Sequence, residues 1–160
     1  IVTDTVLGRL DAVVRATGAR AVAPDEIFAV ACDIFSPNAA GGVLTPGTAD
    51  RLRCAAVVGA ANNPLASPAV GEALARREVL YAPDFVVNAG GLLSVLFETG
   101  VLDEAGIVAR VERIGADLED LLVRAEGEDS PPFRVADRVV AERLAAARAA
   151  QAAVRTATPA

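Results

Sequence analysis

The stretch Gly59-Ala60-Ala61-Asn62-Asn63-Pro64 carries the clearest chemical signal in the chain, because it follows directly on the apolar run Ala55-Ala56-Val57-Val58. Such a run reads as a buried parallel strand, and in an open α/β sheet the ligand crevice lies outside the carboxyl ends of the strands. Small residues there let a ligand lie against the backbone, and paired carboxamides offer it donors and acceptors. Alone, Asn62-Asn63-Pro64 reads as a plain turn. A second block of similar character, Tyr81-Ala82-Pro83-Asp84-Phe85-Val86-Val87-Asn88-Ala89-Gly90-Gly91, shifts the balance toward a ligand contact.

Two absences limit the chemistry. The 160 residues contain no His, and all 15 basic residues are Arg, so there is no Lys. Arg is effectively never deprotonated and cannot serve as an ordinary general base. Acid-base work must therefore come from Asp, Glu, Tyr or Cys, or from residues outside this sequence. Cys32 and Cys54 have no metal-ligand spacing and read as buried, reduced thiols of a cytoplasmic protein, and no metal site is expected. The net charge of −6, the lack of a basic run and a supply of only six aromatic residues exclude nucleic acid as an expected partner. No uninterrupted apolar run is long enough to span a membrane. Ile1-Val2-Thr3-Asp4 has neither an initiator Met nor the basic start of a signal peptide, and reads as a strand already in progress.

The elements that must position these blocks alternate between short apolar runs and helical periodicity, which argues for an α/β fold with a parallel sheet. Strands are expected at 1–3, 19–22, 32–35, 55–58 and 79–81. The first helix places Val6, Leu10, Val13 and Val14 on one face and closes at Gly18. A single helical turn is expected at 25–29, and a short helix capped by Thr48 runs through Arg53. Ser67 as N-cap with Pro68 behind it opens a helix that buries Val70 and Leu74. Gly90 or Gly91 leads into a helix carrying Leu92, Leu93, Val95 and Leu96. Ile107, Val111, Ile114, Leu118 and Leu121 repeat at helical spacing, Ser130-Pro131-Pro132 breaks the pattern, and Val135, Val139, Val140 and Leu144 resume it.

Three blocks together resemble the carboxyl-terminal part of the leucine, phenylalanine and valine dehydrogenases, the amino acid dehydrogenases related to glutamate dehydrogenase. They are Cys32-Asp33-Ile34-Phe35-Ser36-Pro37-Asn38-Ala39-Ala40-Gly41-Gly42, then Val57 to Asn63, then Tyr81 to Gly91. Their order and separations match the family over nearly the whole chain. The resemblance implies a Rossmann-type doubly wound parallel sheet that begins here at its second strand, lacks its first, and is followed by carboxyl-terminal helices. Residues 1–100 would form the partial dinucleotide-binding domain, 101–153 helices packing back on the domains, and 154–160 a frayed tail.

The same resemblance implies site residues. Asp4 matches the acidic residue that hydrogen-bonds the adenosine ribose, which implies NAD, since a carboxylate repels a 2′-phosphate. On its own, an Asp after so short an apolar run reads as a loop or helix-cap residue. Ala39, Ala40 and Gly41 match the loop whose backbone approaches the cofactor, and Asn38 stands where the family often has Cys. Ala60, Ala61 and Asn62 match the contact near the nicotinamide. Asn88 matches a residue near the substrate amino group and the nicotinamide ribose. Leu92 and Val95 match positions lining the side-chain pocket, although they read almost as well as ordinary helix core.

The activity implied is reversible oxidative deamination of an apolar L-amino acid to the 2-oxo acid and ammonia, by an enzyme expected to be a cytoplasmic homo-oligomer. The family usually places Glu where this chain has Val58 when the substrate is glutamate, which favours an apolar one. The cation for the substrate carboxylate and the proton-handling Lys lie upstream in the family. So does the glycine-rich phosphate-binding turn, whose G-x-G-x-x-G spacing occurs nowhere here. The chain alone is therefore expected to be inactive and to be part of a larger enzyme. The alternative is a non-catalytic remnant or interaction module of a split dehydrogenase gene.

Overall fold

A computed structural model describes the backbone of residues 1–157, with side chains described through Gln151. Three parallel strands, β1 (Ile34–Phe35), β2 (Ala56–Val57) and β3 (Leu80–Tyr81), lie side by side in chain order. Ile34 faces Ala56 and Phe35 faces Val57; Ala56 and Val57 in turn face Leu80 and Tyr81. Single parallel bridges at Ala31 with Arg53 and at Leu44 with Leu65 extend the pairing beyond the strands. Parallel neighbours need crossover connections, and α2 (Pro46–Arg51) and α3 (Pro68–Arg76) supply them. The mixture of helices and a parallel sheet is a Rossmann-like α/β fold.

The local sequence explains these helices. Thr45, rather than the expected Thr48, caps α2. Thr45 and Thr48 form a reciprocal capping box, in which the Thr48 N–H donates to Thr45 Oγ1 (3.2 Å) and the Thr45 N–H donates to Thr48 Oγ1 (2.8 Å). Pro46 takes the first helical position, where a missing N–H costs nothing. The Arg77 guanidinium covers the other end of α2, donating to the Ala49 carbonyl and, at 2.6 Å, to that of Leu52. The main core forms between sheet and helices from Phe35, Leu44, Leu52, Val57, Val70, Leu74 and Tyr81, with Phe133 entering from the carboxyl-terminal helices. Val70 and Leu74 are buried as expected.

The amino-terminal strands reduce to one parallel bridge between Val2 and Ala21, with Val2 donating to the Arg20 carbonyl and Val22 donating to that of Val2. Among the described residues no ladder joins this bridge to β1. Helix α1 (Leu7–Thr17) ends at Gly18, which adopts φ 70° and donates to Val14. Its apolar stripe buries no residue fully: Leu10 and Val14 are half-buried, and Val6 and Val13 are exposed. Ile34, expected in a buried strand, is 58% exposed because it lies on the sheet face it shares with Ala56 and Leu80, which is less covered than the face of Phe35, Val57 and Tyr81. Cys32 and Cys54 are free but half-buried rather than buried. Burial, first, and the neighbouring Cys32 push the Cys54 thiol above its usual range.

After β3 come a short helix α4 (Asp84–Val87), then α5 (Gly90–Glu98), α6 (Glu104–Glu112), α7 (Ile114–Gly127) and α8 (Pro132–Ala157). The single periodic run expected across 107–121 divides at Arg113 into α6 and α7, and the Ser130-Pro131-Pro132 break falls as expected. A second core of Leu121, Ala125, Val135 and Ala136 holds α7 against α8. Of the expected frayed tail, residues 154–157 continue α8 and 158–160 lie outside the described residues. No helix among the described residues is long and apolar enough to cross a membrane.

Candidate functional site

The carboxyl ends of the three strands open into three loops that interlock. Asn38, in the loop after β1, folds back so that its Nδ2 donates to the Ser36 carbonyl and hydroxyl, both at 3.0 Å, while its Oδ1 accepts the Ala60 N–H at 2.9 Å. The Ala61 N–H donates to the Pro37 carbonyl at 2.9 Å, and Gly42 donates to that of Asn63 at 2.8 Å. Asn38 therefore does more than fill space where the family often has Cys: its carboxamide fixes the turn after β2.

Two glycines let the loops approach this closely. A Cβ on Gly59 would overlap the Pro37 carbonyl oxygen and lie 2.7 Å from both Pro37 N and Cδ. A Cβ on Gly41 would lie 2.7 Å from the Asn62 carbonyl oxygen. Small residues at these positions thus serve contact between loops as well as open space above them. Pro37 and Ala61 are buried beneath the surface that Ala39, Ala40, Gly41, Ala60 and Asn62 expose.

The third loop adds its own carboxamide. Asn88, at the end of α4, donates from Nδ2 to Asn62 Oδ1 at 2.6 Å and, at the limit of a hydrogen bond, to the Ala60 carbonyl at 3.5 Å. Below this pair, Asp84 accepts the Tyr81 hydroxyl at 3.0 Å and the Asn63 N–H at 2.8 Å. Burial and the Asp84 carboxylate push the Tyr81 hydroxyl well above the usual tyrosine range, so it stays a donor across ordinary pH. The residue Asp84 lay unassigned within the third block. Its only sequence signal is its place three residues after Tyr81 and in the first turn of α4, the positive end of the helix dipole.

Seven expected site residues, Ala39, Ala40, Gly41, Ala60, Ala61, Asn62 and Asn88, thus come together at one edge of the sheet. Asp4 lies apart from them in the hydrogen-bond pattern. Its Oδ1 accepts the Val6 N–H at 2.7 Å, the local turn contact that its sequence position alone suggests. Leu92 and Val95 are 67% and 48% exposed on α5, which removes the helix-core reading of both.

The donors present suit a dinucleotide. Among the described residues the backbone N–H groups of Ala39, Ala40, Gly41 and Asn62 donate to no acceptor, and all four residues are exposed. Asn62 also keeps its Nδ2 free of any acceptor among the described residues while its Oδ1 is engaged. A nicotinamide carboxamide and ribose hydroxyls present the matching acceptors. A cavity of about 540 Å³ lies elsewhere, between α3, the start of β3 and the α7–α8 connection. None of the three loops lines it.

Comparison with known proteins identifies the family of the chain. The family described as Glutamate/Leucine/Phenylalanine/Valine dehydrogenase matches residues 3–157. Phenylalanine dehydrogenase of Thermoactinomyces intermedius is 43% identical over 120 residues, covering 75% of this chain and 33% of that protein. Leucine dehydrogenase of Geobacillus stearothermophilus is 34% identical over 151 residues, covering 94% of this chain and 41% of that protein. Among solved structures, L-tryptophan dehydrogenase of Nostoc punctiforme superposes with a TM-score of 0.84 at 33% identity, covering 91% of this chain and 45% of that one. The chain spans less than half the length of these relatives. With nearly all of it matched, the chain belongs to the glutamate, leucine, phenylalanine and valine dehydrogenase family of amino acid dehydrogenases.

Proposed function

We propose that this chain supplies the dinucleotide side of an NAD-dependent enzyme that oxidatively deaminates an apolar L-amino acid. The convergence of Asn62, Asn88 and the unpaired N–H groups of residues 39–41 at the carboxyl ends of three consecutive parallel strands carries this reading. Bound NAD would accept the hydride leaving the amino acid α-carbon; water then converts the resulting imine to the 2-oxo acid and ammonia. Asn62 orients the nicotinamide end through its free Nδ2, and Asn88 holds Asn62 while facing the substrate side. The loop at 39–41 offers backbone donors without side chains to block them. Asp4 takes the adenosine ribose and selects NAD over NADP. Leu92 and Val95, exposed on α5, line an apolar pocket for an aliphatic side chain.

The relatives named for phenylalanine, leucine and tryptophan support an apolar substrate. This chain supplies neither the Lys that handles protons nor an assigned cation for the substrate carboxylate. The active protein is therefore proposed to be a longer, homo-oligomeric chain whose preceding domain supplies both. Initial rates of NADH formation by the full-length enzyme with valine, leucine, phenylalanine and glutamate test the reading. Turnover of the apolar amino acids that falls at least tenfold in Asn62→Ala supports it. Absence of turnover with every amino acid leaves a non-catalytic remnant.

A further inference from the structure

We propose that Asp84 is a positioning residue, whose carboxylate ties the end of β3 to the turn after β2 and so aims the Asn62–Asn88 carboxamide pair. The proposal rests on the dinucleotide reading of Asn62 given above. Two donors, one from the end of β3 and one from the turn after β2, converge on one side chain: the Tyr81 hydroxyl reaches Oδ1 at 3.0 Å and the Asn63 N–H reaches Oδ2 at 2.8 Å. A carboxylate has only acceptors, one oxygen for each donor. An Asn in its place offers a single oxygen and turns an NH2 toward the second donor.

Both ends of this tie are anchored. Tyr81 is 6% exposed, and Pro83 and Pro64, which flank the tie, are among the fully buried side chains. Between them Asn63 sits at φ 49°, a left-handed conformation that costs most non-glycine residues energy and that Asn tolerates better than most. The Asp84 carboxylate holds the Asn63 N–H in that conformation. The backbone geometry at Asn63 sets where the preceding residue, Asn62, presents its side chain. Asn62 in turn meets Asn88, the last residue of the turn that Asp84 begins. Asp84 therefore controls both carboxamides, one through the bond to Asn63 and one through α4.

The test is a double-mutant cycle in the full-length enzyme, reading the dissociation constant for NAD by titration, kcat and KM separately, and the melting temperature. Asp84→Asn should raise the NAD dissociation constant about tenfold, the loss expected for a hydrogen bond to a charged group. Asn62→Ala should do the same, and the double variant should bind NAD no worse than Asn62→Ala alone, because Asp84 acts through Asn62. A residue that merely stabilised the fold would lower the melting temperature and leave the two effects independent. Asn63→Gly, which adopts positive φ without strain, should recover part of the affinity lost in Asp84→Asn. If Asp84→Asn fails to fold, Tyr81→Phe replaces it in the same cycle, with a loss of roughly threefold. Additive losses, or unchanged affinity in the Asp84 or Tyr81 variant beside a clear loss in Asn62→Ala, overturn the positioning role alone. Unchanged affinity in Asn62→Ala overturns the dinucleotide reading and this inference with it.

Discussion

Replacing Gly59 by Ala tests whether the loops after β1 and β2 form one rigid platform. The added Cβ would overlap the Pro37 carbonyl oxygen and press at 2.7 Å on Pro37 N and Cδ. Backbone and a buried proline ring meet it, so no flexible side chain can swing away. Overpacking of a tight site costs about 1 to 3 kcal/mol, and the rigidity of this neighbour places the variant near 3. In a domain of this size that lowers Tm by roughly 6 to 12 °C. The two loops must separate to accept the methyl group, which displaces the Ala61 to Pro37 and Ala60 to Asn38 bonds and should weaken NAD binding as well. Gly115→Ala is the control, because Gly115 is an exposed position of α7 where a Cβ meets nothing within 4 Å. It should gain about 0.5 to 1 kcal/mol from the better helix former. Differential scanning calorimetry of both variants in the full-length enzyme, with NAD titrations alongside, measures the contrast. A Gly59→Ala variant that melts with the wild type and binds NAD unchanged would refute the interlocked-loop account.

Other outcomes follow from the same geometry. Asp4→Ser keeps an oxygen for the Val6 N–H while removing the charge, so NADP efficiency should rise about tenfold relative to NAD in steady-state kinetics; no change removes Asp4 from the cofactor site. Leu92→Ala should favour larger substrates by roughly 1 to 3 kcal/mol in relative kcat/KM for phenylalanine over valine, and an unchanged ratio would place specificity elsewhere. Arg77→Ala uncovers the carbonyls of Ala49 and Leu52 at the end of α2 and should cost about 1.5 to 3 kcal/mol in thermal unfolding. The Glu128 carboxyl is held below its ordinary 4.5 first by the Arg124 hydrogen bond and then by Arg138. Its stabilising contribution is therefore present above about pH 4.5 and is lost as pH falls through the lowered folded value. Melts of Glu128→Gln and wild type should differ above that pH and converge below it, with the difference reduced in high salt.

Much of the fold was legible because period and punctuation agree with the final packing. Val70 and Leu74 recur at helical spacing behind Ser67-Pro68, and both are buried. The three apolar runs that became β1, β2 and β3 were legible for the same reason, and their order places the three blocks at one sheet edge. Periodicity misled at α1, where a proper apolar stripe is nowhere fully buried, and at Ile34, which lies on the less covered face of the sheet. Apolar pattern reports what a face prefers, and burial depends on what stands opposite it. Thr45 is hard to read as a cap because Pro46-Gly47 separates it from its partner Thr48 and resembles a loop. Within the site, the small residues and carboxamides signalled a close approach. The tie through Asp84 was not legible, since it depends on the end of β3 at Tyr81 meeting the turn after β2 at Asn63.

The crystal structure of the full-length enzyme with NAD tests the central claim most directly. The account places the nicotinamide beside Asn62, with its carboxamide within hydrogen-bond distance of Asn62 Nδ2 and the neighbouring ribose and phosphates over the backbone of residues 39–41. NAD bound anywhere else, such as in the cavity between α3 and the α7–α8 connection, with Asn62 and Asn88 out of reach, would contradict it.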